Sequence, residues 1–190
     1  QVLFFDGTNG QVRVSESATA DPLGLRRRLT LAAWVRPDSL RANAGLITKG
    51  TNGVPFAFVL GADGRLALLA NQGVGLAFAA GGGSWTSSLA VAAGAWSHVA
   101  VRYDGREVAF FVNGAKDPLT GRADLVFGRN SEPLFLGASY AGGSGRFHGR
   151  MDEAQLFAFP LQDEEIARLA YGEVAALATP EVAVLPPRFA

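Results

Sequence analysis

Apolar and polar positions alternate along most of this chain in short runs, interrupted every eight to fifteen residues by Gly, Pro, Asn or Asp. Period-two runs between such turns are what antiparallel strands need, because successive side chains point to opposite faces of a sheet. The pattern predicts strands at residues 2–5 and 11–14, read as a hairpin-like pair around the D-G-T-N-G turn at 6–10. Further strands fall at 29–36 (ended by Pro37), 45–49, 56–60 and 65–70. Residues 71–88 are the least regular, with long glycine-rich loops around a short strand near 76–79. A clear hairpin follows at 96–103 and 107–112, turning through Asp104-Gly105, where Gly tolerates positive φ. Later strands fall at 134–137 and 149–157. Only one helix is predicted, at residues 163–170: Asp163, Glu164 and Glu165 suit its N-terminal dipole, and Ile166, Leu169 and Ala170 share one face. The reading is an all-β, two-sheet antiparallel sandwich with one short C-terminal helix. Residues 1–172 form the domain, and 173–190 are either an edge strand near 182–185 or a linker.

A chain of 190 residues, 48% hydrophobic and 18% charged, can bury a sandwich core of this kind. Its formal net charge of zero gives no basic excess for a nucleic-acid partner. The Arg26-Arg27-Arg28 triplet reads as a solvated strand edge. No cysteine is present, so disulfides, thiolate zinc sites and cysteine nucleophiles are absent. No apolar run is long enough to span a bilayer, and direct membrane insertion of this segment is not expected. The bias of 15 Arg to 2 Lys points to a GC-rich bacterial source. The start at Gln1 reads as a piece of a longer protein.

Catalytic motifs are missing: there is no G-x-S-x-G elbow, no H-E-x-x-H helix, no phosphate loop and no dinucleotide fingerprint. Glycoside hydrolases on related folds use two carboxylates from one strand; the only candidates are Asp152 and Glu153, and alternation would send them to opposite faces, so they cannot flank one glycosidic bond. No enzyme activity is expected. His98 reads as a structural, hydrogen-bonded histidine and His148 as an exposed one.

Four segments carry a resemblance: L-F-F-D-G at 3–7, L-T-L-A-A-W-V at 29–35, G-A-W-S-H-V-A-V-R-Y-D-G-R-E-V-A-F-F-V-N-G at 94–114, and F-H-G-R-M-D-E-A-Q-L-F-A-F-P-L at 147–161. In this order and spacing the chain resembles the laminin-G-like, concanavalin-A-like jelly-roll family over roughly residues 2–170. The resemblance implies buried core positions for Trp34 and Trp96. It also implies a structural Ca²⁺ held by the F-D-G turn and the acidic strand, which points to Asp6 and Asp152, with Asn9 as a weaker ligand; calcium needs six to eight oxygens. The alternative is that Asp6 makes an Asx-turn and that Asp152 pairs with Arg150 or Arg13. Trp85 matches no family position, and both Trp85 and Tyr140 sit beside glycine-rich loops. Each is a candidate ligand platform, Trp85 equally a clamp on its loop. The function expected is a non-catalytic recognition module, extracellular or at the cell surface. It would bind glycan or another extracellular polymer through loops at one end of the sandwich. The alternatives are a protein-interaction or tip module of an adhesin or minor pilin, and an accessory domain of a hydrolase.

Overall fold

The computed structural model describes residues 2–15, 27–139 and 145–172. In chain order the strands are β1 (Leu3–Asp6), β2 (Val12–Val14), β3 (Leu29–Ser39), β4 (Ala44–Lys49), β5 (Gly53–Leu60), β6 (Arg65–Gly73) and β7 (Gly83–Ala90). They continue with β8 (Ser97–Tyr103), β9 (Glu107–Val112), β10 (Ala115–Lys116), β11 (Gly121–Arg122), β12 (Leu134–Leu136) and β13 (His148–Phe157), before the helix α1 (Asp163–Ala170). One sheet runs β1-β13-β3-β8-β9-β10, with β11 also on β9; the other runs β2-β12-β4-β5-β6-β7. All of these pairings are antiparallel.

The core lies between the sheets and follows strand alternation. Leu29, Leu31, Ala33 and Val35 of β3 meet Val99, Val101 and Tyr103 of β8 and Phe56, Phe58 and Leu60 of β5 in one buried cluster. Tyr103 is fully buried, and its hydroxyl accepts the Leu125 N–H at 2.8 Å. Tyr103→Phe leaves that buried donor without a partner, so a loss of about 1–3 kcal/mol is expected. Thermal melts should show it as a Tm lower by about 2–10 °C.

Helix α1 covers part of the outer face of the first sheet, where Ile166 and Leu161 pack on Ala32, Ala100, Ala109 and Phe111. The linker before it is pinned by Thr30, whose hydroxyl donates to the Phe159 carbonyl and accepts the Leu161 N–H, both at 3.0 Å. Glu165 accepts the Gln162 N–H at 2.7 Å, closing the helix start. Arg102 pairs with Asp163 at the first turn.

Several expectations are corrected. The strands at the N-terminus are not a hairpin: β1 pairs with β13 and β2 with β12, so the 6–10 turn carries the chain from one sheet to the other. Strand β3 continues through Pro37 to Ser39, because Pro37 lies opposite Gly149 beside a register shift, where a missing N–H is tolerated. The region 71–88 holds a regular edge strand, β7, whereas 76–79 contributes only an isolated bridge between Ala77 and Arg129. The alternation of β13 breaks between Asp152 and Gln155, with Glu153 at φ 48°, so simple opposite-face geometry does not describe Asp152 and Glu153. The proposed 182–185 strand lies outside the described residues.

Candidate functional site

The phase of the core residues defines what the first sheet shows on its other side. With Leu31, Ala33 and Val35 inward, Trp34 and Arg36 point outward; with Phe5 and Met151 buried, Phe4, Asp6, Arg150 and Asp152 do the same. Cross-strand register sets these side chains in rows: Asp6 opposite His148, Phe4 opposite Arg150 and Arg36, and Asp152 opposite Trp34 and His98. Helix α1 covers the rows containing Ala32 and Ala100 and leaves these.

This face is built, not merely exposed. Phe4 is 61% exposed, and the Arg150 guanidinium lies 5.6 Å from its ring centroid. Arg150 also reaches Asp38 at 3.2 Å, and Arg36 approaches the same carboxylate at 3.9 Å. Arg36 donates from Nε to the Gly94 carbonyl at 2.9 Å, while the Gly94 N–H donates to the Pro37 carbonyl at 2.7 Å. These two bonds fasten the turn that presents Trp96, which is 40% exposed. Trp34 is half-buried and packs edge-on against His98, centroids 5.6 Å apart. From β1 to β8 the face crosses three strand intervals, about 14 Å.

His98 is buried under this face, and its Nδ1 has no hydrogen-bond partner. Burial pushes its pKa down to about 4, so the ring is neutral at neutral pH. The hydrogen-bonded histidine expected from sequence is corrected at its ring Nδ1: burial and the Trp34 contact hold the imidazole, and the bond to Asn113 Oδ1, at 2.9 Å, comes from the main-chain N–H. His148 is half-buried rather than exposed, with Nδ1 2.9 Å from Ser39 Oγ.

Trp34 and Trp96 thus occupy a displayed face and not the core. Sequence contained the signal: Trp34 is out of phase with Leu31 and Val35, and Trp96 is out of phase with Val99 and Val101. Trp85 is half-buried on the core side of β7, opposite Leu68. Its Nε1 donates to the Arg122 carbonyl at 3.3 Å and its ring lies against Gly121, which makes it a clamp between β7 and β11. Beside it, a charged groove is lined by Asp104, Arg106, Glu107, Arg122 and Asp124. Tyr140 lies outside the described residues.

Of the three calcium candidates, Asp6 and Asn9 lie together and Asp152 lies apart. Asp6 Oδ1 accepts the N–H groups of Thr8, Asn9 and Gly10 at 2.8–2.9 Å, an Asx-type cap that holds its carboxyl well below the usual carboxylate range. Asp152 lies four residues along β13 from the partner of Asp6, about 13 Å away. Among the described residues no group of three or more His, Asp or Glu could hold a metal ion. The structure therefore keeps Asn9 beside Asp6 but does not bring Asp152 to them. Arg150, an expected partner of Asp152, reaches Asp38 at 3.2 Å.

Fold and face together define a jelly-roll domain whose outer face carries aromatic rings and two arginines. The chain belongs to the concanavalin A-like lectin/glucanase superfamily, whose laminin-G-type family model matches residues 6–167. No curated relative matches the sequence. Among solved structures, the carbohydrate-binding module of the Ruminococcus gnavus IT-sialidase bound to α2,3-sialyllactose superposes with a TM-score of 0.64 at 15% identity, covering 86% of this chain and 99% of that one. Domain 4 of AbnA, an extracellular arabinanase from Geobacillus stearothermophilus, in complex with arabinotriose, gives 0.65 at 19% identity over 88% of this chain and 75% of that one. The SAP-like pentraxin of Limulus polyphemus gives 0.59 at 16% identity over 89% and 81%. At these identities the likeness is one of fold. Among the described residues no helix is long and apolar enough to cross a membrane.

Proposed function

We propose that this domain is a non-catalytic glycan-binding module, acting outside the cell, and that it binds a short oligosaccharide across the outer face of β1, β13, β3 and β8. The observation that carries this is the display of Phe4, Trp34 and Trp96 on a buried scaffold, interleaved with Arg36, Arg150 and Asp38. Aromatic rings offer apolar surface to the C–H faces of sugars at little entropic cost. Guanidinium groups supply several donors in a fixed fork, and carboxylates accept from hydroxyls. The ligands of the sialidase module and the arabinanase domain support a sugar as the bound class. Both relatives come from glycosidases, which favours an accessory domain that keeps a catalytic neighbour on its substrate.

Trp96→Ala is the first test. It removes an exposed ring and little of the core, so Tm should stay within about 2 °C. Loss of an aromatic anchor should weaken glycan affinity about tenfold or more, measured by isothermal titration against sialyllactose, arabinotriose and any hit from a glycan array. Unchanged affinity in both Trp96→Ala and Arg150→Ala would remove this face from the account.

A further inference from the structure

Residues 66–101 contain no Asp, Glu, Lys or Arg, and within this stretch the loop 73–82, G-V-G-L-A-F-A-A-G-G, stands on the surface. Val74 is 76% and Phe78 71% exposed, and Ala77, Ala79 and Ala80 are exposed beside them. Surface hydrophobes occurring singly need no explanation, but a contiguous apolar cluster marks an interaction site.

The loop is held rather than loose. Ala77 and Arg129 exchange main-chain hydrogen bonds at 3.1 and 2.9 Å, and Ala80 and Val126 do so at 3.0 and 2.8 Å. The Val74 N–H donates to the Asn52 carbonyl at 3.3 Å. Asn71 Nδ2 donates to the carbonyls of Ala80, Gly81 and Val126, and its Oδ1 accepts the Gly128 N–H at 2.9 Å. Phe78 itself sits at φ 59°, where a bulky side chain is strained. Strain of this kind persists where the surrounding structure imposes it, and it concentrates at functional positions.

We infer that this loop is a peripheral membrane contact, with Val74 and Phe78 dipping into the interface of an anionic lipid surface. Three observations favour lipid over a protein groove. The loop, like the rest of residues 66–101, carries no Asp, Glu, Lys or Arg that would have to be dehydrated. The N–H groups of Val74, Ala77 and Ala80 and the carbonyls of Ala77, Ala80 and Gly81 already bond within the protein, which an apolar medium favours. Arg129, exposed and paired through its backbone to Ala77, stands at the margin where a headgroup phosphate would be. This is contact at headgroup depth, not a span, and it modifies the expectation that the segment makes no membrane insertion. It is independent of the glycan face, which lies on the other sheet.

The absence of native cysteines allows a clean test. Val74→Cys labelled with an environment-sensitive fluorophore is titrated with vesicles of phosphatidylcholine alone and of phosphatidylcholine with phosphatidylserine. A blue-shifted, brighter signal with the anionic vesicles is expected, and a weaker one with the neutral vesicles. Phe78→Asn, added to the labelled variant, puts a left-handed-tolerant polar residue at the strained position. Tm should hold or rise, while vesicle affinity falls about tenfold or more. No response to either vesicle, an equal response with Asn at position 78, or a signal that rises with protein concentration alone would overturn the inference. The last of these would identify a second copy as the occupant.

Discussion

Gly149→Val is expected to destabilise the domain by about 3–5 kcal/mol, because a Cβ at this position has no room and the backbone no tolerance for it. Gly149 sits at φ 149°, and a Cβ there would lie 2.2 Å from the Arg36 carbonyl oxygen, 2.8 Å from Pro37 Cα and 2.9 Å from the Asp38 nitrogen. All three are backbone atoms, so β13 and β3 would have to separate at the register shift beneath Arg36, Asp38 and Arg150. In a thermal melt this should lower Tm by about 10 °C or more. Gly149→Ala carries the same Cβ and should share most of the loss. Gly75→Ala is the control: its φ is 77° but nothing lies within 4 Å of the added carbon, so only the backbone cost of about 1 kcal/mol applies. Equal effects at the two sites would show that the close approach of β13 and β3 is not what requires glycine.

Asp117→Ala should cost nearly as much, about 3–4 kcal/mol, for an electrostatic reason. This carboxylate is buried at the junction of β7 with the segment after β10. Its Oδ2 accepts the Ser88 and Leu89 N–H groups at 2.6 and 3.0 Å, and its Oδ1 accepts the Ser88 hydroxyl at 2.6 Å and the Leu119 N–H at 2.8 Å. Burial alone would raise its pKa, but the Ser88 hydroxyl and the Leu89, Leu119 and Ser88 N–H groups outweigh it, holding the carboxyl below its ordinary value of 3.8. A carboxylate depressed on folding stabilises the native state above its unfolded pKa. It loses that contribution as pH falls through the folded value. The wild type should therefore lose stability from about pH 4 downward. Asp117→Asn should be less stable at neutral pH and show a shallower acid limb, read from denaturant melts across pH. An acid limb as steep as that of the wild type would assign the acid sensitivity to other carboxylates, such as Glu132.

Much of this architecture was legible because alternation is a local property. The hairpin through Asp104-Gly105 and the helix at Asp163–Ala170 were both placed by patterns a few residues long. What was misread depends on distant partners. A five-residue turn at 6–10 looks like a hairpin, yet β1 and β2 join different sheets because their partners, β13 and β12, arrive more than a hundred residues later. Strand β7 escaped notice because an edge strand with serine and threonine on its outer side lacks the apolar run of a central one. The bulge at Glu153 has no glycine to announce it. The two tryptophans show a different failure, since their family positions suggested burial while their phase against Val35 and Val99 indicated the outer face. Trp85, conspicuous for its glycines, is a clamp, and the rings best placed to meet a ligand are those that resembled core.

The most direct measurement follows from the chain's having only three tryptophans. Their indole N–H signals, one each from Trp34, Trp85 and Trp96, can be followed by heteronuclear NMR while an oligosaccharide identified by array screening is titrated in. Binding across the outer face of β1, β13, β3 and β8 predicts that the Trp34 and Trp96 indoles shift together with the amides of Phe4, Arg36 and Arg150, while Trp85 stays fixed. A shift confined to Trp85 and the amides around Arg122 would contradict the account and return the binding site to the loops at the end of the sandwich.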